Sequence, residues 1–323
     1  MLRSMYSGIS GLKNFQTKLD VIGNNIANVN TYGFKKGRTI FKDLISQTVA
    51  GASGGSDARG GVNPKQVGLG SQISAIDTIH SGGSTQFTGN TLDLALSGDG
   101  FFQVADGIGV DAESGSGEFT NPLYTRAGNF YMDNNGYLVN SDGKYLVGYA
   151  VAGWDGEPSS VATAYPNANT VDSSATVGNL DSDDDGVADL NPTTATGEYT
   201  PLRIPKNAQS MSVAQDGTVT FVDSEGTLKW AGQLVLAKFS NPGGLNKAGG
   251  NYFQQTANSG NPLFQVGTKE GIGAIESGFL EMSNVDLSEE FTEMIVAQRG
   301  FQANTRIITT SDEILQELVN LKR

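Results

Sequence analysis

Four aspartates in one short run are the side chains best spaced for chemistry. Asp181, Asp183, Asp185 and Asp189 stand in DSDDDGVAD, with Gly186 among them. They fill positions 1, 3, 5 and 9 of a calcium loop, and the glycine falls at position 6, where such a loop turns. Position 12 should bring a bidentate carboxylate but holds Pro192. No helical pattern flanks the run. A solvated acidic hairpin tip explains it better than a Ca2+ or Mg2+ site, and a metal there would be structural. The other reactive side chains are no better placed. Asp93 and Asp99 sit in glycine-rich, turn-like sequence rather than as a glycosidase pair. Ser97 in LSGDG lacks the flanks of a nucleophile elbow and a histidine partner. His80 is the single histidine, and cysteine is absent, which removes thiolate, disulfide and zinc–thiolate chemistry. No phosphate-binding glycine loop follows a strand and opens a helix. The residues call for no active site and no cofactor.

The composition narrows the class further. The 323 residues carry 34 acidic and 21 basic side chains, a net charge of −13. Nucleic-acid binding needs a basic footprint, so it is excluded. Hydrophobic residues make up 37% and glycines number 43, which suits short strands between many turns. No run approaches the roughly 20 apolar residues of a membrane span. The opening MLRSMYSGISGLKNFQTKLD has no continuous apolar core and is not expected to be a cleaved signal peptide.

The elements that organise the chain lie at its ends. Leu2, Met5, Ile9, Leu12, Leu19 and Ile26 follow a 3-4 spacing, with Gln16 and Gly23 at the missing steps. Leu287, Phe291, Met294, Phe301, Ile308, Leu315 and Val319 do the same, with Gln298, Thr305 and Asp312 as polar steps. Such repeats predict two long helices, residues 2–28 and 287–321, that pair as a coiled coil. The polar steps argue for more neighbours than one. Asp286, three residues before Glu289, predicts the cap of the second helix.

Between the helices the pattern is mainly β. Residues 92–107, 122–149 and 203–239 alternate and are punctuated by Asn-Gly and Asp-Gly pairs that suit tight hairpins. Met211, Val213, Val219, Phe221, Leu228, Leu234 and Leu236 are the expected inward residues. The aromatics Tyr124, Phe130, Tyr131, Tyr137, Tyr145 and Tyr149 are core or contact points between copies. The expected organisation has four parts. Residues 1–30 with 287–323 form a discontinuous helical domain, and 31–70 a connector, glycine-rich from 51. Residues 71–149 with 203–286 form the β-rich domain, and 150–202 a small polar outer insertion.

SGISGLKNFQTKLDVIGNNIANVNTYGFKK (7–36), LDLALSGDGFFQV (92–104), YTRAGNFYMDNNGYLVNSDG (124–143), GQLVLAKFSNPGGL (232–245) and residues 278–321 resemble the bacterial flagellar axial proteins of the rod and hook. The blocks occur in order at both ends, and cover most of the chain outside 150–202. The resemblance implies a non-enzymatic subunit that polymerises helically, with its terminal helices lining an inner tube. MYSGISGL, MIVAQRGFQANTRII and the insertion are hook-like, implying the flexible joint that carries motor torque to the filament; a distal rod subunit of the basal body is the alternative. The implied partners are copies of itself, the distal rod protein, the hook cap, the hook–filament junction proteins and the flagellar type III export apparatus. The implied location is the extracellular hook of the basal body, reached without signal cleavage. A reading of another class, an extracellular carbohydrate-binding β-domain, would need no apolar seam at either end.

Overall fold

The computed structural model describes residues 2–55, 59–108, 118–150, 200–206, 208–269 and 271–321. Its contacts divide the chain into two units. One comprises Met1–Val29, Lys35–Ile79 and Val285–Arg323; the other comprises Asn30–Phe34 and His80–Asn284.

The first unit is built on two helices, α1 (Leu2–Ala27) and α2 (Leu287–Asn320), which pack along each other. With 34 residues α2 runs for about 51 Å at 1.5 Å per residue. It starts where its cap is expected. The Asp286 carboxylate accepts from the backbone N–H of Ser288 at 2.8 Å and of Glu289 at 3.4 Å, satisfying donors that have no partner inside the helix. The Glu289 carboxylate accepts from Lys36 at 2.6 Å. Four strands join the helices: β1 (Gly37–Asp43), β2 (Ser46–Ala50), β3 (Lys65–Gly68) and β4 (Ser71–Thr78). β1 pairs antiparallel with β4 from Gly37↔Thr78 to Asp43↔Ser71, with a bulge at Ile40/Phe41. α1 lies against both strands, and Phe15 meets Phe41 with ring centroids 6.3 Å apart. β2 and β3 continue the excursion as an exposed antiparallel ribbon, with Ser53 bridging Val62. The sequence from residue 31 to 70 thus carries strands. Backbone pairing organises a glycine-rich stretch whose few large side chains gave no strand pattern.

The second unit is a meandering antiparallel structure. Among the described residues, the path of its largest sheet runs through 210–213, 218–222, 228–234, 145–150, 101–108, 118–125, 252–254 and 246–249. Two apolar clusters hold it. One gathers Leu94, Phe102, Val104, Phe130, Leu146, Val219, Phe221 and Leu234; the other gathers Phe101, Tyr124, Val147, Phe239 and Phe253. Of the expected inward residues, Val219, Phe221, Leu234 and Leu236 are buried, while Met211 and Val213 pack against the first cluster. Leu228 is exposed; it opens its strand, two residues after Gly226. Tyr124, Phe130 and Tyr137 are core, whereas Tyr131 faces outward. The architecture is mainly β, with two long terminal helices packed together.

Candidate assembly face

The contact between α1 and α2 mixes small and polar residues with apolar ones of the repeat. On α2 the buried residues are Glu290, Ala297 and Ser311. Met294, Asn304, Ile308 and Leu315 are half-buried between them. This line, 290–294–297–304–308–311–315, has the 3-4 rhythm of a packed helix face. On α1, Gly8, Gly11, Ile22 and Asn25 are buried. The backbones come close because side chains are missing. A Cβ on Gly11 would stand 2.9 Å from Asn304 Oδ1, and one on Gly300 would stand 2.5 Å from the Phe15 ring. A Cβ on Gly8 would meet Ile308 at 3.3 Å.

Polar ties fix the register. Asn25 Nδ2 donates to Glu290 Oε2 at 3.1 Å and to the Gly37 carbonyl at 2.9 Å, while Asn25 Oδ1 accepts from the Gly37 N–H at 3.0 Å. The buried Glu290 carboxylate therefore has a donor, as a buried charge requires. Lys18 pairs with Glu293, and Asn14 donates to Ser71 Oγ at 2.8 Å. α1 ends two residues beyond Asn25, at Ala27, and Asn25 bonds outward to tertiary partners.

The apolar repeat lies partly elsewhere. Leu2 belongs to α1. Met5, Leu12, Leu19, Ile26, Met294, Ile308 and Leu315 are half-buried. Ile9, Leu287, Phe291, Phe301 and Val319 are exposed. So are Tyr6, Ile295, Val296, Ile307, Ile314 and Leu318, which the 3-4 pattern does not select. Val296, Ile307, Ile314 and Leu318 fall within about 40° of one another around α2 at 100° per residue, and Leu287 and Phe291 lie roughly opposite. With a third line taken by α1, α2 presents apolar side chains on several sides. A helix of this kind is stable in water only with additional neighbours.

No reaction chemistry competes with this face. Asp181, Asp183, Asp185 and Asp189 lie outside the described residues. Among the described residues no group of three or more His, Asp or Glu side chains is placed to hold a metal. Asp93 accepts from Asn90 Nδ2 at 3.3 Å within a turn. Ser97 ends a strand paired with Ala274. The His80 ring packs edge-on against Phe101 and Phe253, at 5.6 and 5.2 Å. The cleft beside His80 and Asp99 has a volume of about 30 Å3, room for roughly one water. No described helix is long and apolar enough to cross a membrane.

Glu290, Asn25, Gly8, Gly11, Ala297 and Asn304 are the residues that apolar periodicity does not find. Their one signal in sequence is the small-residue spacing of Gly8 and Gly11.

Comparison with known proteins agrees with a self-associating subunit. Residues 5–35 match the model of the flagella basal body rod protein, residues 95–221 that of the flagellar hook protein FlgE/F/G D1 domain, and residues 276–321 that of the flagellar basal body rod FlgEFG protein C-terminal region. The flagellar basal-body rod protein FlgG of Bacillus subtilis is 50% identical over 325 residues, covering 100% of both chains. The flagellar hook protein FlgE of Borreliella burgdorferi is 35% identical over 454 residues, and the rod protein FlgG of that organism is 33% identical over 328, each covering 100% of both chains. The chain belongs to the flagellar rod and hook axial-protein family, and is a self-polymerising structural subunit of the bacterial flagellum rather than an enzyme.

Proposed function

We propose that this chain is a subunit of the distal rod, the alternative to the hook expected from its insertion and terminal motifs. The alignment lengths carry this reading. The 323 residues align with the two rod relatives over 325 and 328 positions, so neither relative carries more than a few residues that this chain lacks. Alignment with hook relatives from Borreliella burgdorferi and Treponema pallidum extends over 454 and 475 positions. The polar stretch 150–202 is too short to stand for the additional sequence those hook proteins carry. One observation favours the hook: the Borreliella burgdorferi hook protein is marginally more identical than the rod protein of that organism, 35% against 33%.

In this reading α1 and α2 form the inner wall of a helical tube, and the exposed apolar lines of α2 are covered by neighbouring copies. The polar stretch expected as an outer insertion, 150–202, lies almost wholly outside the described residues. The partners are further copies, the first hook subunits, and the flagellar type III apparatus that exports the chain. Deleting the gene and imaging basal bodies tests it. Rods that stop short, with no hook, are expected. Complete rods that lack only hooks would assign the chain to the hook instead.

A further inference from the structure

We propose that Tyr32, Gly33 and Phe34 form a latch that pins the chain after α1 to the return strand Phe279–Glu281, and that closes only once that strand is in place. The segment Asn30–Phe34 belongs to the second unit, although it lies between two stretches of the first. Its docking partners come almost wholly from far along the chain. The Gly33 N–H donates to the Glu281 carbonyl at 2.8 Å, and the Asn284 N–H donates to the Phe34 carbonyl at 3.4 Å. Asn251 Nδ2 donates to the Tyr32 carbonyl at 3.0 Å. The Lys247 ammonium lies 5.1 Å from the centre of the buried Phe34 ring.

The floor beneath the latch is the peptide joining Arg126 to Ala127. Gly33 has φ +69°, and a Cβ there would stand 2.5 Å from Ala127 N and 2.6 Å from the Arg126 carbonyl carbon. Backbone atoms that close leave no room for any side chain. The floor itself depends on the return strand. The buried Arg126 guanidinium pairs with the Glu281 carboxylate at 3.3 Å and donates to the Gly98 carbonyl at 2.7 Å. Glu281 Oε1 also accepts from the Gly83 N–H at 3.0 Å. Until Glu281 arrives, Arg126 lacks its hydrogen-bonded ion-pair partner at a site meant to be dry, with only the carboxylate of Asp99 acting on it, and Gly33 lacks its acceptor. The residues after α1 thus stay undocked while the β-rich unit forms, whether the subunit stands in rod or hook.

Pulse-labelled hydrogen exchange during refolding of the full chain tests the order. The Gly33 amide should gain protection together with, or after, the amides of the Thr85–Phe87 and Phe279–Glu281 pair. Protection of residues 31–34 before that pair would overturn the proposal. Gly33→Ala tests the geometry. Amides 31–35 should exchange roughly a hundredfold faster, from the loss of two hydrogen bonds and the ring contact, while the melting of the second unit barely moves. Unchanged exchange would overturn it. If Gly33→Ala unfolds the whole unit, Asn251→Gly decides. That variant keeps the positive φ of 63° at residue 251 and removes one donor, so exchange at 32–34 should rise roughly tenfold; no rise would overturn the proposal.

Discussion

The absence of a side chain matters most at Gly11 and Gly300, where another residue already occupies the space. Asn304 and the Phe15 ring fill those positions, so Gly300→Val forces the ring or the helix to move. Overpacking of this kind costs about 1–3 kcal/mol. The loss should appear as lower helicity by circular dichroism, with the β-rich transition unmoved. Gly23 is the control: nothing lies within 4 Å of its Cβ position, so Gly23→Ala should raise helix stability by about 0.5–1 kcal/mol. A second residue-scale prediction concerns pH. Tyr124 is buried, and burial raises its phenol above the ordinary value near 10. The folded state holds this proton more tightly than the unfolded state. Its stabilising contribution is complete below pH ~10 and falls as pH climbs from there towards the folded value. The melting temperature of the β-rich unit should decline above pH ~10, and Tyr124→Phe should flatten that decline. These contacts were only partly legible in the sequence. Asp286 announces its cap because capping is local and needs no partner from elsewhere in the chain. Gly11, Asn25 and Glu290 do not announce theirs, since each takes its meaning from a partner more than 200 residues away.

At the scale of the element, the two helices are the clearest feature of the sequence, expected at 2–28 and 287–321 and found at Leu2–Ala27 and Leu287–Asn320. The face they turn to each other was legible in part: Met294, Ile308 and Leu315 of the apolar repeat lie half-buried on the line that meets α1. Apolarity marks burial wherever it occurs, and here much of it awaits surroundings outside the single chain. Between those apolar residues the intrachain face is lined by Ala297, Asn304 and Ser311 against Gly8 and Gly11, residues too small or too polar to register as a seam. This division makes the apolar lines separable by mutation. Phe291 and Val296 are 50% and 53% exposed. Phe291→Asp or Val296→Asp should therefore change monomer stability by no more than about 0.5 kcal/mol, yet bury an unpaired carboxylate once copies associate. Normal calorimetry with no assembled rod or hook in electron micrographs is the expected pair of results. Normal assembly in both variants would show that those lines face no neighbour. Leu315→Asp is the counterpart. Leu315 is already half-buried in the single chain, so that variant should lower helicity as well as assembly.

At the scale of the whole molecule two forces oppose each other when copies approach. Each subunit carries a net charge of −13, so stacking many of them in a tube concentrates like charge. Burial of the exposed apolar side chains drives the other way, at roughly 25 cal/mol per Å2. The ion pairs within the first unit do not reverse the balance: the Glu289 and Glu293 side chains remain about half exposed, and such pairs contribute about 0–1 kcal/mol. Salt weakens repulsion over the long distances between subunits more than it weakens contact burial. Raising ionic strength from 0.01 to 0.15 M shortens the screening length from about 30 to about 8 Å. The critical concentration for polymerisation should therefore fall with added salt, and fall again as pH is lowered towards the isoelectric point near 4.5. Light scattering of the purified chain across a salt series reads the sign directly. A critical concentration that rises with salt would mean that charge pairing between subunits, rather than apolar burial, holds the tube together. The exposed lines on α2 would then have to be assigned another purpose.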